Sequence, residues 1–315
     1  TYATYRTADN YGGTWRSSSD GSGGVSVEEV AAAFDANAFA EAAVDMAAQY
    51  VVFTACHAGF NLLFPSATMA RTGATHKSAK TDAVGRLLEA LGAKGIPLVL
   101  YMPPNDNHDI VDEDLARMGW LNDDEGRERF VNALLREIND RYGGRIAGIW
   151  FDQGGPRASA KAAFLEGNPD GVVFVNRGIT GDNEKAGISD FLVSEFYGQI
   201  PAGDTDALPV HHSQINRIFG GSWWACGGRA TADARGLFRY TVRVAATEGQ
   251  LNAGVNWACG PYLDQSWESG VRELMHGFGE LVRRHRRAIC DTVPSTAYVT
   301  KSGSTLGRDA WGVAT

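Results

Sequence analysis

The sequence predicts an α/β protein folded as a (β/α)8 barrel of the TIM type, with a short C-terminal strand extension. Short, continuously apolar runs alternate with helix-length amphipathic stretches along the chain. Continuous apolar strands that are each followed by a helix indicate a parallel sheet covered on its faces. We count about eight such units, and a chain of 315 residues is ordinary for one barrel. A doubly wound open sheet is the alternative, but TACHAGF after the first clear strand lacks the GxGxxG pattern of dinucleotide-binding folds.

The individual elements follow from the apolar pattern in chain order. The predicted strands are 2–6, 49–55, 96–102, 145–152, 171–176, 191–196, a segment near 222–227, and 251–257. The predicted helices are 81–95, 124–142, 157–166, 231–247 and 266–289. We assign residues 1–295 to the barrel and 296–315 to a strand tail. The Gly- and Ser-rich segment 7–24 is either a flexible start or a loop bordering the site.

Composition and charge exclude several classes of protein. The net charge of −8 and a pI near 5.4 argue against a nucleic-acid-binding surface. No apolar run approaches the 18 or so residues that a membrane span requires. The chain starts at Thr1, so we expect that a leader or a neighbouring domain has been removed and that the protein is secreted or periplasmic.

The four cysteines show neither a CxxC pair nor the spacing of zinc ligands. They allow up to two disulfides in an oxidising compartment, or four buried thiols, and we favour buried thiols. No metal and no cofactor is predicted.

Residues at the strand ends are the candidates for chemistry, because catalytic groups of a barrel sit at the C-terminal face of the sheet. Together they supply two acids, a guanidinium, an imidazole and aromatic rings, a set typical of a carbohydrate pocket. They are His57, Tyr101, Asp152, Asn176, Arg177, Glu195 and the pair Trp223–Trp224.

Glycoside cleavage requires two carboxylates that flank one bond. Asp152 is the predicted nucleophile, because it is short, ends an apolar strand and precedes two glycines that allow a close approach. Its alternative role is to cap the following turn. Glu195 is the predicted acid/base, because the adjacent Phe196 and Tyr197 favour the protonated form. Its alternative role is an ion pair with Arg177.

Further strand-end and aromatic residues are predicted substrate contacts. The set comprises His57, Tyr101, Trp150, Arg177, Trp224 and Trp257. Each has a structural alternative: a core histidine, packing aromatics, or an ion-paired arginine. His211 and His212 lie in a polar stretch without a third ligand at metal spacing, and we interpret them as loop residues.

Six segments, in this order, resemble the α-L-fucosidases of glycoside hydrolase family 29. They are FDANAFAEAAVDMAAQYVVFTACHAGFNLLFPS, KTDAVGRLLEALGAKGIPLVLYMPP, GIWFDQ, VVFVNRG, SDFLVSEF and GQLNAGVNWACGP, and they extend over about 26–300. The resemblance implies a barrel in which Asp152 is the nucleophile and Glu195 the acid/base. It also implies that Arg177 and the strand-end Tyr101 belong to the site.

Departures from the family pattern after the first and second strands affect the predicted specificity. The family's first strand ends in Phe-x-His-Trp-Gly, which ATYRTADNYGGTW does not supply. The family's paired histidines and following Asp are Cys56, His57 and Ala58 here. These family groups bind sugar hydroxyls, so the resemblance implies another deoxy or anhydro sugar, or a fucosylated or sulfated polymer. A complete C-terminal β-sandwich, which many relatives carry, is also missing from the sequence.

The predicted function is a retaining glycoside hydrolase that cleaves α-L-fucosidic or related deoxy- or anhydro-sugar linkages. Its predicted partner is an oligo- or polysaccharide, with neither nucleic acid nor membrane as a partner, and both exo and endo action stay open. The alternative is a non-catalytic carbohydrate-binding barrel, which the presence of both carboxylates disfavours.

Overall fold

A parallel sheet forms the centre of the molecule. The computed structural model describes residues 26–57, 59–104, 110–152, 158–176, 187–195, 211–217, 233–245, 254–289, 293–294 and 313–314. Its strands are β1 Val51–Thr54, β2 Leu98–Met102, β3 Gly148–Phe151, β4 Val172–Val175, β5 Phe191–Glu195, β6 His211–Arg217 and β7 Gly254–Ala258. Each of these strands pairs in parallel with the next one along the chain. A doubly wound sheet reverses its strand order, so this order confirms the barrel topology over the alternative.

Described helices lie between β1 and β2, β2 and β3, β3 and β4, and β6 and β7, because parallel neighbours need a crossover connection. The described helices are α1 Val27–Ala33, α2 Ala36–Asp45, α3 Ala67–Thr72, α4 Ala83–Gly92, α5 Asp112–Arg117, α6 Asp124–Tyr142, α7 Ala158–Glu166, α8 Ala234–Ala245 and α9 Val271–Arg284, with 3-10 helices at Thr75–Lys77 and Arg286–Ala288. Asp82 and Asp123 begin α4 and α6, because each carboxylate accepts a bond of 2.7 Å from a backbone N–H of the first turn. The structure confirms the five predicted helices. Those over 81–95, 124–142, 157–166, 231–247 and 266–289 correspond to α4, α6, α7, α8 and α9.

The strands separate two apolar layers, because successive side chains of a strand point to opposite faces. Phe53, Leu100 and Phe151 belong to the large cluster between the sheet and the helices. The inner cluster consists of Val99, Tyr101, Trp150, Phe174 and Val193. At the strand ends, residues that alternate in step with this inner cluster therefore point towards the barrel mouth.

One predicted loop is a strand, and several other predicted segments lie outside the described residues. The stretch with His211 and His212, interpreted as a polar loop, is strand β6, whose backbone pairs with β5 on one side and β7 on the other. The predicted strand near 222–227, the first strand at 2–6 and the segment 7–24 lie outside the described residues. β8 Val293–Pro294, just before the predicted tail, pairs in antiparallel fashion with β9 Val313–Ala314, which lies within the tail.

Within the described ranges, no helix combines the length and the apolar character needed to cross a bilayer. Of the four cysteines, Cys56 and Cys259 are free thiols, with Cys56 buried and Cys259 partly buried. Cys226 and Cys290 lie outside the described residues.

Candidate active site

The ends of three adjacent strands bring Tyr101, Asp152 and Asn176 together. Tyr101 lies in β2, Asp152 directly follows β3 and Asn176 directly follows β4. The backbone N–H of Asp152 donates to Met102 O at 3.1 Å, and that of Asn176 donates to Phe151 O at 2.8 Å. The sheet hydrogen bonding therefore continues through both positions and holds the two side chains at fixed places.

The carboxylate of Asp152 is buried and receives a hydrogen bond on each oxygen. The hydroxyl of Tyr101 donates to Oδ2, and Nδ2 of Asn176 donates to Oδ1 at 2.6 Å. Burying a carboxylate is costly unless its oxygens are hydrogen-bonded. Both donors stabilise the ionised form and fix the orientation of the group, which are the requirements for a nucleophile or an electrostatic stabiliser.

His57 reaches this cluster through Tyr101. The two rings are stacked with centroids 5.6 Å apart and planes inclined by 4°. Thr54, near the end of β1, lies opposite Tyr101 in the strand register, so the segment after β1 leads directly to this edge of the sheet. The structure therefore places the predicted residues His57, Tyr101 and Asp152 in one continuous group.

Trp150 lies two residues before Asp152, on the same face of β3, and forms the layer of side chains beneath it. Its ring is fully buried and is stacked on Phe174 with centroids 5.1 Å apart, and Phe174 is stacked on Phe191 at 4.3 Å. Its indole N–H is buried and has no hydrogen-bond partner among the described residues. These contacts lie within the barrel interior, and the predicted contact between Trp150 and substrate stays a prediction.

Trp257 lies on the other side of the sheet from the cluster around Asp152. Its ring meets Phe278 of α9 edge-on at 6.2 Å and Tyr240 of α8 at 5.8 Å. In β7, the side chain at position 257 points away from the barrel interior and packs in the helix layer. This placement corrects the expectation that Trp257 stacks on a sugar at the barrel mouth.

The remaining predicted residues are not fully described. Arg177, Trp224 and the pair partner Trp223 lie outside the described residues. Glu195 is the last residue of β5, where its backbone lies opposite Ile215 of β6, but its side chain lies outside the described part. Among the described residues, no group of three His, Cys, Asp or Glu side chains converges as a metal site would require.

The role of Asn176 as a partner of the carboxylate was not predicted. The sequence shows it at a strand end next to Arg177. Its pairing with Asp152 follows from the register of β3 with β4, in which Trp150 lies opposite Phe174. Because the two strand ends are level, the next inward residue of each strand meets the other.

Comparison with known proteins identifies one family. The family model described as Alpha-L-fucosidase matches residues 27–206. A search among curated proteins finds no match.

Solved structures with the same fold include several fucosidases. The α-L-fucosidase of family GH29 from Bacteroides thetaiotaomicron has a TM-score of 0.61 and 17% identity, over 86% of this chain and 66% of that chain. A trapped covalent intermediate of an α-L-fucosidase from that organism, in complex with 2-fluoro-fucosyl fluoride, has a TM-score of 0.62 and 17% identity, over 86% and 67%.

Isoenzyme 1 of the Paenibacillus thiaminolyticus α-L-fucosidase has a TM-score of 0.67 and 16% identity, over 85% of this chain and 68% of that chain. The chain thus spans about two thirds of the length of these enzymes. The likeness establishes the (β/α)8 barrel as the fold.

Proposed function

Since the chain belongs to the α-L-fucosidase family, we propose that it is a retaining glycoside hydrolase acting on an α-L-fucosidic or closely related deoxy- or anhydro-sugar linkage in a glycan. The observation that carries this proposal is the buried carboxylate of Asp152 at the end of β3, to which Tyr101 and Asn176 donate hydrogen bonds. A secreted or periplasmic location, polysaccharide degradation, and a catalytic barrel over 1–295 with a strand tail over 296–315 are parts of the same proposal.

In the first step, an oxygen of Asp152 bonds to the anomeric carbon while the bond to the leaving oxygen breaks. Glu195 donates a proton to that leaving oxygen. In the second step, Glu195 accepts a proton from water, and the water oxygen displaces Asp152 from the anomeric carbon. Glu195 suits this role by position, because it lies two residues after Val193 of the inner cluster and two strands from Asp152.

The hydrogen bonds on Asp152 favour this division of roles. Hydrogen bonds donated to both oxygens of Asp152 favour its ionised form, which is the form that a nucleophile needs. His57, which is stacked on Tyr101, is proposed to contact a sugar hydroxyl beside the nucleophile. Arg177, which follows Asn176, is proposed as a further sugar contact.

The proposed substrate is larger than a simple fucoside. Cys56 lies fully buried in the outer core, where it offers no hydrogen bond to a sugar. Each hydroxyl-binding partner that a site lacks costs about 1–3 kcal/mol. We therefore expect weak hydrolysis of an aryl α-L-fucoside and better turnover of a longer or modified fucosylated glycan, assayed side by side with a panel of aryl glycosides. A kcat/KM above about 10⁴ M⁻¹s⁻¹ on the aryl fucoside would contradict this expectation.

The decisive experiment is covalent labelling. The protein is incubated with 2-fluoro-fucosyl fluoride and analysed by peptide mass spectrometry. The label should appear on Asp152, and Asp152→Asn should stay unlabelled. Asp190→Asn is the matched control, because Asp190 precedes β5 at the opposite end of the sheet and bonds Lys161 and Val173 N there. A label on another residue would refute the nucleophile assignment, and glycan binding without turnover of any glycoside would favour a non-catalytic barrel.

A further inference from the structure

Two fully buried charges lie next to the segment that follows β1 and take no part in the proposed reaction. Lys77 ends the 3-10 helix Thr75–Lys77, Asp114 belongs to α5, and both side chains are 0% exposed. Lys77 Nζ lies 3.6 Å from Asp114 Oδ2. Asp114 Oδ2 also lies 2.9 Å from His76 Nε2, and Oδ1 lies 3.2 Å from Arg117 Nη1. Removing two charges from water is expensive unless each meets a partner, and here each charge has one.

Lys77 holds the segment that follows β1 at two points. Its Nζ donates to the carbonyl oxygen of Gly59 at 3.0 Å. Its own carbonyl oxygen accepts from the N–H of Leu62 at 2.7 Å. This segment includes His57, the residue stacked on Tyr101. Lys77 therefore contacts the same short turn that contains His57, a proposed sugar contact.

The turn itself has an unfavourable backbone conformation. Phe60 has φ +50°, in the left-handed region that a bulky residue rarely adopts. The N–H of Phe60 donates to His57 O at 2.6 Å, which closes the turn. Its ring is enclosed by Trp120 at 4.8 Å and Phe130 at 6.0 Å. Such a conformation persists only when the surroundings impose it, and here the aromatic cluster and Lys77 do so together.

We infer that Lys77, anchored by Asp114, is the positioning residue for His57. Its bond to the Gly59 carbonyl holds the turn, and the turn keeps the imidazole stacked on Tyr101. The inference rests on the proposed function for its effect on turnover, while its effect on the position of His57 is independent of any activity.

The structural test compares two lysines that make the same kinds of contact. Lys161 Nζ also donates to a glycine carbonyl, that of Gly187 at 3.0 Å, and pairs with Asp190 at 2.5 Å, but at the opposite end of the sheet. With ¹³C-labelled histidine, the imidazole resonance of His57 is assigned by its loss in His57→Gln. It should shift or broaden in Lys77→Met and stay unchanged in Lys161→Met. An unchanged resonance in Lys77→Met would overturn the inference.

A second variant covers the case in which Lys77→Met does not fold. Lys77→Met/Asp114→Leu replaces both fully buried charges with apolar groups, a change that buried pairs often tolerate. The other partners of Asp114, His76 and Arg117, are partly exposed and keep access to water. The double substitution also removes the bond to the Gly59 carbonyl, so the His57 resonance should shift in the same way. A His57 resonance at the wild-type position in this folded variant would equally overturn the inference.

The kinetic test is a double-mutant cycle. On the best glycoside substrate, Lys77→Met should lower kcat/KM on the order of 10- to 100-fold in the wild type, since small displacements of a contact are costly. In the His57→Gln background the same change should have an effect of less than about threefold. An equal factor in both backgrounds would show that Lys77 does not act through His57. A wild type without any glycosidase activity would refute the proposed function and leave the resonance test of Lys77 standing.

Discussion

The hydroxyl of Tyr101 offers the sharpest test of the candidate site. Tyr101→Phe removes the hydrogen bond on Oδ2 of the Asp152 carboxylate and keeps the ring that is stacked on His57. A hydrogen bond to a charged group contributes about 1.5–3 kcal/mol. If the bond orients and stabilises the attacking carboxylate, its loss should lower kcat/KM by about 10- to 150-fold, because each 1.36 kcal/mol is a factor of ten. Asn176 keeps the second oxygen in place, so the variant should retain measurable activity.

The assay pairs this variant with Tyr142→Phe. Tyr142 is also buried and its hydroxyl also donates to an aspartate, Asp82 Oδ1 at 2.8 Å, but in the helix layer between α6 and α4. Both variants should lose stability in urea denaturation to a similar degree, and only Tyr101→Phe should lose kcat/KM. Wild-type kcat/KM in Tyr101→Phe, or an equal loss in Tyr142→Phe, would refute the role assigned to Tyr101.

Three further predictions concern the acid pair, acid stability and the thiols. In a sugar-bound crystal structure the carboxyl groups of Asp152 and Glu195 should lie about 5–5.5 Å apart, and a separation beyond about 6.5 Å would indicate inversion instead. Burial acts to raise the pKa of Glu137, but the hydrogen bonds that it accepts at the start of α3 outweigh burial and hold the pKa below its ordinary value of 4.5. The resulting stability is present above pH 4.5 and lost as the pH falls through the lowered pKa. Glu137→Gln should therefore lower the urea midpoint at pH 7 and flatten its decline below pH 4.5, and parallel curves for the two proteins would contradict this. Burial raises the pKa of Cys259 to about 11 and raises that of Cys56 as well, so iodoacetamide at pH 8 should modify these thiols only in denaturant, as peptide mass spectrometry would show.

Much of the fold is legible in the sequence because strand and helix patterns are local. The apolar run that ends at Asp152 is strand β3 followed by the predicted acid, and the predicted helix 124–142 is α6. Strand β6 was missed because HHSQINR has no apolar run. Its extended backbone depends on pairing with β5 and β7, and such tertiary context outweighs local preference in strands.

By itself the sequence determined the barrel class, the family and the position of Asp152 at a strand end, since each depends on residue order along the chain. The tertiary structure alone decided which side chains meet there. Asn176 reaches Asp152 only through the register of neighbouring strands, and the parity of β7 turns Trp257 towards the helices. The buried pair of Lys77 with Asp114 joins a 3-10 helix to α5 across 37 positions. A charge can be buried only where its partner is brought to it in space. The distance between two residues along the sequence does not reveal whether they meet in the folded chain.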